Sequence, residues 1–518
     1  MKFSSGVPAL VSAVGLAALT MIPTANAFFR MSCDGPLVRD RADPIVNPGA
    51  VAGHLHTVVG GNAFDFTMDG KKSRTSTCTS CAAVQDKSNY WVPDLWVKAK
   101  NGSFHPVGHN GMLIYYLQRI GPNKDELVPF PDDFRMLAGN PMLRSYTNTE
   151  AQNAISFACL GGGVPESNSI PNVKCPGGLR AQVFFPSCWD GKNGDSPDHK
   201  SHVSYPVGNH EHGACPPSHP KRFISLFFEI LFSVKEWDSE WVNGKHPFVF
   251  SNGDPTGYGL HGDFLNGWDP ATLKEAIKCD ASSGRVEDCK VLKLQEPEDR
   301  DRCKIAPRVN EPTEGWLPAL PGCNPVTYGP ASAVVPPVCN AVSNIGPPKS
   351  YSSDMSSKGW TYVGCAFDDR NNRIFSERTY SNDMTIEKCI DHCSGKGFSH
   401  VGLQYRNECY CGNNINKKFL GSVQCTMDCV GNKNQYCGGS QKLSVYKKGT
   451  GSSSPVPTPV QKEPATTTTT AKPATTAKAD DGPSAPQCPS KDAAATHCEN
   501  KANTDSEFCR QYRQIMKI

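Results

Sequence analysis

Twenty-three cysteines punctuate this chain of 518 residues in three blocks: twelve between positions 28 and 340, eight between 357 and 449, and three after 487. A reducing compartment gives so many thiols little use, whereas an oxidising one turns them into crosslinks that can replace apolar burial as the source of stability in small units. The first two blocks have even counts and can pair internally. The tail, with Cys488, Cys498 and Cys509, leaves one thiol over.

The N-terminus fits export. Lys2 precedes an apolar stretch at 7–22, and Ala25-Asn26-Ala27 supplies the small-x-small site that a signal peptidase requires, so residues 1–27 are expected to be a signal peptide and Phe28 the first mature residue. The apolar run is too short, and too closely flanked by Pro8 and Pro23, for a membrane span of about 20 residues. With 53 basic against 50 acidic side chains there is no cationic surplus with which to hold a polyanion, and nucleic acid is not expected as a partner.

Composition sets the remaining boundaries. Residues 452–486 are mostly Pro, Thr, Ala and Ser, which cannot bury a core; 450–487 is therefore expected to be a disordered linker leading to a tail at 488–518. A second Pro-rich stretch, at 330–348, separates a large unit at 28–340 from a small one at 357–449.

The small unit contains Cys365, Cys389, Cys393, Cys409, Cys411, Cys425, Cys429 and Cys437, with the elements Cys409-Tyr410-Cys411-Gly412-Asn413 and Cys437-Gly438-Gly439. These residues and their spacing resemble the WSC domain, an eight-cysteine module of fungal cell-wall sensors and secreted enzymes. The resemblance implies a disulfide-rich α+β domain that binds carbohydrate outside the cell. Flat aromatic faces can stack on the C–H faces of a sugar, and Trp360, Tyr362, Tyr405 and Tyr410 are the candidates for substrate binding. The alternative is that these rings cover the disulfides.

The large unit reads as mainly β, antiparallel, sandwich-like and rich in loops. Its apolar runs, at 89–97, 111–120, 179–185, 223–234 and 247–250, are short and bounded by Gly, Pro and Asn. One helix is predicted at 270–279, with Asp269 as N-cap and Pro270 at its first position. Four segments, 43–62, 185–202, 215–220 and 253–264, together resemble a secreted fungal family of domains of unknown function often joined to WSC modules. That resemblance implies relatives but no reaction.

Eleven of the fourteen histidines lie in this unit. His54 and His56 share a face of an extended segment and are candidate metal ligands. A Trp-Asp loop leads to a second histidine pair, and a Gly-rich segment carries His261-Gly262-Asp263. The expected site joins these: His202, His261, Asp263 and Asp190 in catalysis, with Trp189, Asp198 and His199 on the substrate. A divalent metal is left open as cofactor. The alternative makes His54, His202 and His261 buried structural residues. The Cys78-Thr79-Ser80-Cys81 spacing is read as two structural half-cystines rather than a redox or zinc motif.

Two functions fit these features. One is a secreted, wall-associated polysaccharide hydrolase or lyase held on glucan or a related glycan by its WSC unit. The other is a non-catalytic glycan-binding or structural wall protein. Asn101-Gly102-Ser103 is an acceptor triplet for N-glycosylation, expected in a glycoprotein.

Overall fold

The computed structural model describes residues 28–279, 283–333, 341–415, 419–420 and 422–449. The expected leader, linker and tail lie outside the described residues.

Eleven strands build two sheets of the large unit: β1 (Phe28–Asp34), β2 (Val38–Asp40), β3 (His56–Gly60), β4 (Asn89–Pro93), β5 (Gly111–Leu117), β6 (Arg135–Gly139), β7 (Ile155–Cys159), β8 (Leu179–Phe184), β9 (Ser225–Phe232), β10 (His261–Leu265) and the short β11 (Gly284–Arg285). The first sheet runs β7-β8-β9-β5-β1-β11 and the second β2-β3-β4-β10-β6. Every pairing within them is antiparallel except β1 with β11.

The sheets pack face to face because alternate residues of each are apolar and point between them. Phe29, Met31, Ile114, Tyr116 and Phe228 of one sheet share a buried cluster with Val59, Tyr90, Val92, Met136 and Phe264 of the other. A buried hydrogen-bond chain crosses the interface. Trp268 Nε1 donates to Tyr116 Oη at 2.7 Å, the Tyr116 and Tyr90 hydroxyls are 2.7 Å apart, and Tyr90 Oη donates to Asp86 Oδ2 at 2.5 Å. Polar groups so deep in a core need partners, and the chain supplies them in series.

The second sheet is buried on both faces. Its outward residues Val58, Trp91 and Leu265 are covered by Leu37, Phe64, Phe66 and Val309, contributed by the turn between β1 and β2, the long connection after β3 and the segment following Cys303. Disulfides Cys33–Cys81 and Cys78–Cys303 fasten this cover to the sandwich, so the Cys-x-x-Cys pair is structural.

The predicted strand segments are strands. Residues 89–97 hold β4 and the next strand Leu95–Lys98; the runs at 111–120, 179–185 and 223–234 hold β5, β8 and β9; 247–250 holds Phe248–Phe250. The predicted helix forms at Pro270–Ala276, with the Asp269 side chain accepting from Thr272 N at 2.8 Å, and stops short of residue 279. One expectation fails. The His261-Gly262-Asp263 segment is no Gly-rich loop but the start of central strand β10, and Gly262 is there because it faces inward: a Cβ would lie 2.9 Å from the Phe185 ring and 3.0 Å from Val183.

The small unit forms a six-stranded sheet from β12 (Trp360–Phe367), β13 (Glu377–Tyr380), β14 (His400–Gln404), β15 (Glu408–Gly412), β16 (Phe419–Leu420) and β17 (Lys442–Lys448), in the order β13-β15-β14-β17-β12-β16. A helix at Ile386–Gly395 lies on it. Cys389 and Cys393, one turn apart, bond to Cys409 and Cys411, two apart on β15. Four helical residues rise about 6 Å and two strand residues about 6.6 Å, so the two spacings match and the pair staples helix to sheet. Cys365–Cys425 and Cys429–Cys437 complete four bridges.

Candidate functional site

His56 opens β3 opposite Pro93 of β4, and the register that pairs Asp263 with Trp91 brings His261 to the other side of that proline. Since Gly262 points inward, His261 and Asp263 point outward, on the face that also carries Val58, Trp91 and His56. His54, from the connection before β3, folds over this face. The ring centroids lie 4.3 Å (His54–His56), 5.0 Å (His54–His261) and 5.8 Å (His56–His261) apart.

Backbone carbonyls orient two of the rings. His56 Nδ1 is 3.1 Å from Ala42 O, and His261 Nδ1 is 2.9 Å from Gly259 O. A carbonyl oxygen can only accept, so both Nδ1 atoms carry the proton and both Nε2 atoms present lone pairs. His54 Nε2 lies 3.0 Å from His261 Nε2 and is therefore the donor of that pair. His56 Nε2 is buried with no hydrogen-bond partner. Burial, reinforced by the neighbouring histidines, holds His54 well below the usual imidazole range and pushes His56 down to about 3; burial pushes His261 down to about 4. All three rings are neutral at physiological pH. His56 and His261 are buried, while His54 is half-buried and forms the rim.

Carboxylates stand beside them. Asp263, two residues along the same face, is buried with Oδ2 unpartnered. Burial and the nearby Asp43 carboxylate push it well above the usual range, opposed by Lys200. Burial likewise raises Asp43, against hydrogen bonds from the Val46 and Ile45 amides and the field of His199. Lys200 donates to Gly139 O at 2.6 Å and lines a cavity of about 320 Å³ together with Gly139, Asn140, Gln152, Asn168 and Tyr258. A buried carboxyl group with a raised pKa and a half-buried amine beside lone-pair imidazoles can deliver and take up protons.

The other expected members of the site are held elsewhere. His202 uses both ring nitrogens in the fold, Nδ1 with Ser196 Oγ and Nε2 with Arg135 O, each at 2.8 Å, and its ring packs on Phe134. Arg135 pairs with Leu265, four residues from His261 along β10 or about 13 Å, so His202 is a fixed structural residue away from the cluster. Asp190 caps its own loop through Lys192 N, Asn193 N and Asn193 Nδ2, and Asp198 does the same through Ser196, Lys200 and Ser201; these bonds hold both carboxyls below their ordinary range. Trp189 lies stacked on Phe223, with Nε1 donating to Asn193 O. His199 pairs with Asp195 at 2.7 Å and touches the cluster only through its field on Asp43.

Asp43 and Lys200 join the site although the sequence alone did not single them out. Both lie in family-like segments, Asp43 at the start of 43–62 and Lys200 near the end of 185–202, a signal available in the sequence.

In the small unit the aromatic expectations divide. Trp360 is core, Tyr410 is buried between Arg373 and Arg378 with its hydroxyl donating to Glu408, and Tyr362 packs on Tyr446. These three rings support the disulfide core rather than offer a face. Tyr405 is 54% exposed. Tyr380, which was not anticipated, is 71% exposed on edge strand β13. It pairs with Glu408, itself opposite Gln404, so both exposed tyrosines lie at the same end of the sheet.

Comparison with known proteins fits both units. Residues 43–268 match the model of a domain of unknown function (DUF1996), a span that includes His54, His56, His261 and Asp263, and residues 362–439 match the WSC domain. Two WSC domain-containing proteins of Arthroderma benhamiae are 36% identical over 105 residues and 41% identical over 96, covering 20% and 17% of this chain and 11% and 13% of theirs. Xylosyltransferase sqv-6 of Caenorhabditis elegans is 32% identical over 93 residues, 17% of this chain and 12% of its own. The chain thus spans roughly an eighth of the length of these curated relatives. No helix among the described residues is long and apolar enough to cross a membrane.

Proposed function

We propose that this chain, a DUF1996 domain joined to a WSC domain, is a secreted wall-associated protein that binds a polysaccharide through its WSC unit and acts on one, as hydrolase or lyase, through its sandwich. The WSC match carries the general carbohydrate-binding role. The action on glycan rests on one observation: His54, His56 and His261 converge beside the buried Asp263 on a sheet face that ordinary packing would fill with apolar side chains. Burying two imidazoles and two carboxyls under a third, half-buried imidazole costs stability and gains the fold nothing, which is the pattern of a site kept for chemistry.

The parts divide the work in a consistent way. Asp263 and Asp43, two buried carboxyl groups that feel each other's charge, can divide the acid and base roles. The neighbouring cavity, with Lys200, Asn140, Asn168 and Gln152 on its walls, offers hydrogen-bonding groups to hydroxyls. Nine disulfides among the described residues suit an oxidising environment, and the exposed Asn101 is placed to carry a glycan.

The test incubates the full-length protein with a panel of fungal and plant polysaccharides and analyses the products by mass spectrometry. New reducing ends or unsaturated ends that vanish in Asp263→Asn support the reading. A folded protein that sediments with a glycan and releases nothing from any member of the panel leaves only the binding role.

A further inference from the structure

The geometry points to a metal centre: we infer that His54, His56 and His261 bind one divalent first-row transition ion, zinc or copper, through their Nε2 atoms, with further coordination positions open to water or substrate. The inference deepens the reading of the same site, yet it stands on coordination chemistry and holds whether or not the sandwich cleaves a glycan.

Four observations carry it. First, one nitrogen from each ring lies within 4.8 Å of the others. A tetrahedral ion with 2.0–2.1 Å bonds to nitrogen sets its ligands about 3.3 Å apart, which falls between the 3.0 Å His54–His261 approach and that limit. Small ring rotations close the remainder. Second, the Nδ1 protons of His56 and His261 are tied to the carbonyls of Ala42 and Gly259, which fixes the tautomer and aims the Nε2 lone pairs; metal-binding histidines are held in the same way. Third, His56 is fully buried and its Nε2 finds no partner within the protein, although a buried acceptor without a donor costs about 1–3 kcal/mol. An ion seated between the rings satisfies it. Fourth, His54 is half-buried at the rim, so the cluster is not closed off from solvent on that side.

The donor set selects the ion. Three imidazoles without a thiolate suit zinc and copper, whereas calcium and magnesium require several oxygen ligands. The cations whose fields reach the cluster each face a carboxyl group: Arg41 is paired with Glu311, Arg144 with Asp254, and Lys200 feels Asp263 and Asp198. Loading requires His54, whose Nε2 donates to His261, to move its proton from Nε2 to Nδ1. The rim position leaves that nitrogen to face outward.

The experiment uses the full chain, produced without a histidine tag, stripped by chelator and titrated separately with zinc and copper. One equivalent should bind per chain by elemental analysis, and the copper form should show nitrogen hyperfine structure from imidazole ligands in its electron paramagnetic resonance spectrum. His54→Ala alters a rim residue and should leave the fold intact while weakening binding by roughly 100-fold; His261→Gln should do the same. His212→Ala, at an exposed histidine outside the cluster, should bind like the parent. A folded parent that takes up neither ion, or a His54→Ala variant that binds as tightly as the parent, overturns the inference. Running the polysaccharide assay on the same samples separates the two claims. Cleavage by a protein that takes up neither ion removes the metal and keeps the enzyme; stoichiometric metal without cleavage does the reverse.

Discussion

His54 Nε2 and His261 Nε2 stand 3.0 Å apart although 207 positions separate them in sequence. Their contact requires the long connection before β3 to fold back over the outer face of β10. It also requires the end of β6 to let His261 sit close, and this second condition falls on one glycine.

Gly139 pairs with His261 at φ +80, and a Cβ there would lie 2.4 Å from Leu260 O and 2.9 Å from His261 Cα. Both neighbours are backbone and cannot swing aside. Gly139→Ala should therefore destabilise the sandwich by about 2 kcal/mol or more, from positive-φ strain together with the clash. Gly163→Ala is the control, since Gly163 has φ +68 but open space around it. Thermal unfolding should place the first variant clearly below the second; equal midpoints would show that strain alone acts.

Asp86 gives a pH dependence whose sign is opposite to that of an ordinary surface carboxylate. Burial, exceeding the hydrogen bonds from Tyr90 and Ser88 and the field of Lys87, pushes its carboxyl from 3.8 up to about 6. Below about pH 4 both folded and unfolded states hold the proton, and the contribution to stability is complete. As pH rises through 6 the unfolded chain has already released a proton that the folded one must give up at a cost, so the contribution is lost. Asp86→Asn should flatten the stability profile between pH 4 and 6 and add up to about 3 kcal/mol at pH 7. Denaturant titrations at pH 4, 5, 6 and 7 on both proteins measure it, and parallel profiles would contradict it.

Much of the fold was legible because its signals are local. Short β-rich runs bounded by Gly and Pro mark strands, Asp269-Pro270 marks a helix start, and the eight cysteines of the small unit mark its module. The site was half legible. His54, His56, His261 and Asp263 could be named from residue type and spacing, because a His-x-His pair on an extended segment keeps one face. Grouping them with His202, Asp190 and Asp198 failed for a reason that sequence does not carry: the two carboxylates find their partners within their own loop, through Ser196, Ser201, Lys192 and Asn193, and His202 is tied between Ser196 and the Arg135 carbonyl of β6. Strand β10 was misread because both its faces are buried, one by the sandwich core and one by the cover, which erases the alternation that identifies a strand.

The cover itself depends on a long-range bond. Cys78–Cys303 joins positions 225 apart and holds the segment carrying Val309 against Trp91 and Leu265. A crosslink closing so long a loop contributes up to about 5 kcal/mol by restricting the unfolded chain. The double variant Cys78→Ala, Cys303→Ala should unfold at markedly lower denaturant, whereas removing Cys279–Cys289, which spans ten positions, should cost less. Equal losses would mean that local strain, not chain entropy, governs these bridges.

Glycan contact in the WSC unit should follow exposure rather than aromatic count. Tyr380 and Tyr405 present free faces at one end of the sheet, while Trp360, Tyr362 and Tyr410 are engaged in packing. Tyr380→Ala and Tyr405→Ala should each weaken sedimentation of the full chain with insoluble β-glucan or chitin, by about 1 kcal/mol or more per ring if sugars stack there, with unfolding unchanged. Trp360→Ala removes a ring that is 2% exposed in the core and should instead lower stability by about 3–5 kcal/mol. Circular dichroism melts run beside the sedimentation assay distinguish the two kinds of loss. Unchanged sedimentation in the Tyr380→Ala, Tyr405→Ala double variant would move the sugar-binding face away from this end of the sheet, because no exposed ring would then be left there to supply it.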